Sequence, residues 1–120
     1  MGKEYRMVEV KKNITYVVCT LQGEYPSRNV WINKRLLDPK PSQKLRNHSP
    51  DGFNWGYGGS GPAQLALAIM LDQFGSPECY QDLKWQVISK IPQGKDFRID
   101  LAIHREIEDG CIKIFRTEYR

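Results

Sequence analysis

The chain lacks a long hydrophobic run. Its longest, Leu65 to Leu71, is seven residues, well short of the roughly 20 that a membrane-spanning helix needs, so no membrane partner is expected. The N-terminus passes from Met1-Gly2-Lys3 straight into charged, alternating sequence with no apolar signal segment, and Arg6 stands where a myristoylation motif needs Ser or Thr. Cysteine is scarce: Cys19, Cys79 and Cys111 are odd in number, far apart and free of any Cys-x-x-Cys pairing. That speaks against a disulfide framework and a structural zinc site and fits a reducing, cytoplasmic setting, with each cysteine acting as a small buried hydrophobe. The two histidines, His48 and His104, belong to no His, Asp and Glu cluster of ligand spacing, so no metal is expected, and no motif implies a cofactor. No Pro, Gly, Ser or Gln tract marks a disordered tail.

What is present is ordinary globular sequence, 40 % hydrophobic and 27 % charged over 120 residues, enough for one core and one domain spanning residues 1–120. The net charge of +4 is unevenly placed. Residues 26 to 50 hold Arg28, Lys34, Arg35, Lys40, Lys44 and Arg46 against Asp38 alone, a basic stretch that attracts phosphate-bearing partners or is simply solvated.

Alternation of apolar residues predicts strands over residues 4–10 and 14–21, joined through Lys11-Lys12-Asn13 as a hairpin. Val30-Trp31-Ile32 reads as a short strand turning at Asn33-Lys34. Prolines 39 and 41 then disfavour helix, so residues 38–61 read as a long irregular connection. A helix is expected from just after Ser60-Gly61-Pro62 to about Phe74, with Ser60 as a cap and Gly75 as a stop. It is apolar all round, as a helix covered on most sides is. An amphipathic second helix follows from Ser76-Pro77-Glu78 to about Lys90. Ile99, Leu101 and Ile103, with Asp109-Gly110 and Ile112 and Ile114 beyond, predict a C-terminal hairpin. Residues 99–107 also satisfy a helical template, and strand is preferred. The sum is an α+β fold, an antiparallel sheet of about four to five strands packed against two sequential helices.

Half of the ten glycines fall within residues 52 to 61, immediately before the apolar helix. Such a loop can aim several backbone amides at one point where the helix N-terminus adds partial positive charge, a cradle for an anion. The ligand-binding candidates are therefore Gly58, Gly59, Ser60 and Gly61, with Arg46 as a neighbouring cation. Phe53, Trp55 and Tyr57 alternate through the loop as stacking faces for a base. Gln64, one turn into an apolar helix, must bond either the loop backbone or a ligand. His48 is the candidate acid or base. The segment is neither a Walker A loop nor a dinucleotide fingerprint. The same residues also fit a purely structural loop, in which glycines allow a tight backbone crossing and aromatics pack.

The runs Leu37-Asp38-Pro39, Leu45-Arg46-Asn47-His48-Ser49-Pro50 and Gly52 through Ile69, with Leu83-Lys84-Trp85, resemble the signature of an uncharacterised prokaryotic and phage family, a domain of unknown function (DUF6166-like). The likeness spans roughly residues 29 to 91. It implies an accessory gene of a phage or mobile element, and no activity or catalytic residue. In layout alone, the loop is also similar to small viral proteins that place a Gly-His loop at a helix N-terminus to hold or cleave cyclic oligonucleotides. Tyr57 stands in place of that His, which speaks against cleavage.

Four functions follow. The first is binding of a phosphate-bearing ligand, a nucleotide or cyclic oligonucleotide, at the loop and helix start. The others are nucleic-acid binding through the basic stretch, a phosphodiester-processing enzyme using His48, and a protein-binding inhibitor anchored by Trp31 or Trp55. A binding protein is the first reading and an enzyme the lesser one, with oligomeric state left open.

Overall fold

Strand β4, Phe97–Glu106, buries Phe97, Ile99, Leu101 and Ile103 at every second position. Strand β1, Tyr16–Gly23, does the same with Cys19 and Leu21. The antiparallel register sets Cys19 opposite Leu101 and Leu21 opposite Ile99, so the two apolar rows share one face, as the period of two requires. A computed structural model describes residues 15–106 and 111–119, without the side chains of Cys111, Phe115, Arg116 and Tyr119. The expected strand over residues 4–10 and the Asp109-Gly110 turn lie outside the described residues.

Among the described residues β1 and β4 are central in a five-stranded antiparallel sheet of order β3-β2-β1-β4-β5, with β2 at Val30–Ile32, β3 at Arg35–Leu36 and β5 at Cys111–Tyr119. Residues 97–106 form strand, as alternation favoured over the helical template. Helix α2, Ser60–Phe74, is buried without interruption from Gly61 to Met70. Its Leu65, Ile69, Met70 and Phe74 join Leu21, Ile32, Ile99, Leu101 and Ile103 of the sheet in one core, closed by Leu83, Val87 and Ile88. The fold is α+β. Gly75 ends α2 in the left-handed conformation at φ 76°, a helix stop that glycine adopts without steric cost.

Three expectations about the helices are corrected. Residues 38–61 are not irregular throughout, because Lys40–Leu45 form a short helix, α1. Pro39 occupies its cap and Pro41 its first turn, where a missing N–H costs nothing. Ser60 is not the cap of α2: Gly59 is, in extended conformation and with no side-chain cap bond. The second helix is shorter than its periodicity suggests. It runs Tyr80–Gln86 as α3, after Cys79 in left-handed conformation at φ 73°, and after Val87 it tightens to a 3₁₀ turn at Ile88–Lys90.

Arg105 takes the core-facing position after Ile103 and is wholly buried. Its guanidinium stacks over Phe74 at 4.4 Å, and Nη1 donates to Ser76 Oγ at 2.7 Å. Burial lowers its pKa, against the pull of Glu78 at 3.9 Å. Cys19 behaves as the small hydrophobe its isolation suggests: burial, with Asp72 and Asp100 nearby, pushes its thiol up to about 12, which keeps it protonated and unreactive.

Candidate functional site

The aromatic loop splits by direction. Phe53 and Trp55 turn inward, 4 % and 0 % exposed. Trp55 packs edge-on to Phe97 at 4.8 Å, and its indole N–H donates to the Lys95 carbonyl at 2.9 Å. Neither ring offers a face to a base, and Trp55 is no exposed anchor for a protein partner. Tyr57 remains at the surface. Between them the Gly56 amide donates to the Ile88 carbonyl at 3.0 Å. Gly56 has φ 87°, and a Cβ there would fall 2.5 Å from Gln93 Cα, so only glycine fits this crossing. The loop is thus pinned to the core on one side and open on the other.

On the open side the chain enters α2. Its first helical bond at this end is the Ala63 amide to the Gly59 carbonyl at 3.1 Å. Among the described residues the amides of Gly58, Gly59, Ser60 and Gly61 have no acceptor. They are unpaired donors at the positive end of a 15-residue helix.

Helix α3 brings two side chains to this end. Gly58 leaves the space that the Trp85 indole occupies: a Cβ built there would lie 2.3 Å from Cη2. The indole is otherwise exposed, at 56 %. Over its ring, 4.2 Å from the centroid, stands the Lys84 ammonium. Lys84 is only 8 % exposed, yet among the described residues no carboxylate or hydrogen-bond acceptor meets its Nζ; the indole is its sole partner. A buried lysine is ordinarily paired. Among the described side chains the only nitrogens both sealed and unbonded are Nε and Nη2 of Arg105, so the Lys84 Nζ keeps a path to solvent.

One turn earlier on the same face of α3, the Tyr80 hydroxyl lies 2.9 Å from His48 Nε2 and 3.5 Å from Arg46 Nη1. His48 has its pKa lowered by desolvation first, then by the positive charges of Arg46 and Lys84, so His48 lies in the field of both cations. No carboxylate among the described residues bonds His48, so it is not oriented as a general base by the usual partner. Arg46 and Tyr80 also line a cleft of about 390 Å³ with Leu45, Leu67 and the segment Pro77–Asp82.

What holds His48 and Arg46 in place is Gln64. It is fully buried, its Oε1 accepts the amides of His48 at 2.8 Å and Ser49 at 3.0 Å, and its Nε2 donates to Ser42 Oγ at 2.9 Å and the Arg46 carbonyl at 3.1 Å. Every polar valence of Gln64 is therefore used by the chain. Of the ten candidate ligand-binding residues, the structure gathers Gly58, Gly59, Ser60, Gly61, Tyr57, His48 and Arg46 around this end of α2. It withdraws three: Phe53 and Trp55 into the core and Gln64 into the loop's own bonding.

The basic stretch does not converge as a whole. Arg35 forms a two-pronged pair with Asp72 of α2, at 2.7 and 2.9 Å, and Arg46 is its member at the site. Lys84, Trp85 and Tyr80 were not singled out for the site from the sequence. The available signal was a lysine one turn from Tyr80 in a helix whose apolar residues flank it, as Leu83 and Val87 do. Among the described residues no three His, Cys, Asp or Glu side chains gather to hold a metal ion, and no helix is long and apolar enough to cross a membrane.

A family model described as a family of unknown function (DUF6166) matches residues 21–109. No curated protein and no solved structure matches the chain.

Proposed function

The chain belongs to this family of unknown function, and from that premise we propose that it is a binding protein for a phosphate-bearing ligand seated at the N-terminus of α2. The observation that carries the reading is Lys84, a residue only 8 % exposed whose ammonium, open to solvent, meets no carboxylate or hydrogen-bond acceptor among the described residues. It is joined through the Trp85 ring to a loop whose four successive amides are unpaired. A positive charge and a set of N–H donors, all lacking acceptors, are complementary to one anion, and phosphate oxygens accept from both. Tyr57 and Trp85 stand exposed beside that position and supply stacking faces for the base of a nucleotide.

Titration of ¹⁵N-labelled protein with inorganic phosphate and with adenosine 5′-monophosphate tests this. The expected result is a saturable shift of the Gly58, Gly59, Ser60 and Gly61 amides, stronger with the nucleotide and lost in Lys84→Met. Folded protein that shows no shift at these amides with either compound refutes it.

A further inference from the structure

We infer that the phosphate at this site is terminal, a phosphomonoester carried by a nucleoside, and that the Tyr57 hydroxyl is one of its donors. Phosphodiesters, cyclic or in a strand, are then the weaker ligands. This rests on the phosphate-binding reading above and specifies which phosphate the site takes. Tyr57 folds back across the glycines that follow it. A Cβ built on Gly59 would fall 2.3 Å from Tyr57 Cε2, and one on Gly61 would fall 3.2 Å from the Tyr57 hydroxyl oxygen. On a helix the Cα–Cβ bond leans toward the N-terminus, which is also the direction in which the first-turn amides point. The hydroxyl therefore stands on the side of Gly61 that an anion at the end of α2 would occupy.

Gly61 is buried, and its amide has no acceptor among the described residues. A buried N–H is ordinarily bonded. Pro62, the next residue of α2, carries no N–H, so the first turn offers the amides of Ser60 and Gly61, with those of Gly58 and Gly59 just ahead. The Tyr57 hydroxyl likewise has no partner among the described residues. Four amides, a hydroxyl and the Lys84 ammonium thus stand at one helix end, and no carboxylate among the described residues bonds the ammonium or the amides. A phosphodiester has two free oxygens and a single negative charge. A phosphomonoester has three strong acceptor oxygens and a charge of about −1.5 to −2 at neutral pH. The third oxygen matches the added donor, and the further charge matches a lysine without a counter-ion at the positive end of a helix.

Calorimetry on the full chain compares adenosine 5′-monophosphate with two diesters. One is its phosphate methyl ester, which keeps the base, the sugar and the phosphorus but loses one free oxygen and one charge, and the other is adenosine 3′,5′-cyclic monophosphate. The monophosphate is expected to bind about tenfold or more tightly than either diester, as one charge-assisted contact gives. Tyr57→Phe keeps the ring over the glycines and should weaken the monophosphate by a similar factor. A diester that binds as tightly as the monophosphate overturns the terminal-phosphate inference and spares the phosphate-binding reading, whereas no binding of any of the three overturns both. Monophosphate affinity unchanged in Tyr57→Phe overturns the role of the Tyr57 hydroxyl.

Discussion

Replacing Gln64 with leucine removes the one side chain that ties four points of the segment Ser42–Ser49 to α2. The volume is nearly conserved, so the cost is polar. The amides of His48 and Ser49 and the carbonyl of Arg46 each lose a partner, while Ser42 Oγ keeps its donation to the Pro39 carbonyl at 2.7 Å. Each net hydrogen bond contributes about 0.5–1.5 kcal/mol, which puts four such bonds at roughly 2–6 kcal/mol. His48 and Ser49 are half-buried, so water replaces part of what is lost. A destabilisation of about 2–4 kcal/mol in urea is therefore expected, at unchanged m. In a chain of this size that corresponds to a fall in Tm of roughly 10 °C. Hydrogen exchange adds the local readout: the amides of His48 and Ser49 should lose protection before the core strands do. Gln64→Glu keeps both acceptor functions but turns the donor into an oxygen facing the Arg46 carbonyl, so it should fall between wild type and leucine and gain stability as pH is lowered. Gln64→Leu within about 0.5 kcal/mol of wild type, with the two loop amides still protected, would show that Gln64 is not the tether.

Two other perturbations probe the same region. Gly58→Ala places a methyl carbon 2.3 Å from Trp85 Cη2. Because Gly58 is not in a left-handed conformation and the indole is free to swing outward, the expected cost is near the low end of overpacking, about 1 kcal/mol. With it should come lost phosphate affinity, as Lys84 loses its stacking partner; an alanine variant with wild-type phosphate affinity would refute the coupling. Because the folded pKa of His48 is lowered below its ordinary value near 6.5, the unfolded chain holds more protons between the two values. The His48 contribution to stability is therefore present above about 6.5 and is lost as pH falls through that window. Affinity for a phosphodiester probe should change in the opposite direction, rising on acidification as a protonated His48 joins Arg46 and Lys84 beside the Tyr80 hydroxyl. An NMR titration giving a His48 midpoint at or above 6.5 in the free protein would contradict this.

Much of the frame can be read from residue order. Alternation in Ile99, Leu101 and Ile103 places β4 correctly, the apolar run from Leu65 to Leu71 marks the most buried helix, and Gly75 marks its end within the structure as well. The loop's position before α2 is equally clear. Direction is not. Phe53, Trp55 and Tyr57 have the same spacing, and nothing local says that two face Phe97 and the core while the third faces water. Pro39 and Pro41 read as helix breakers until α1 shows them at its cap and first turn. Lys84 is the largest gap. Along α3 it is one polar residue among several, and its burial, like the contact of Trp85 with Gly58 across 27 positions, belongs to tertiary packing.

That contact also gives the protein a native optical probe. Of its three tryptophans, Trp55 is sealed and Trp31 sits half-buried on β2, whereas Trp85 is exposed and touches both the loop glycine and the unpaired lysine. An anion drawing the Lys84 ammonium away from the ring would alter the field on that indole. Occupancy of the site would then be visible in its emission without any added label.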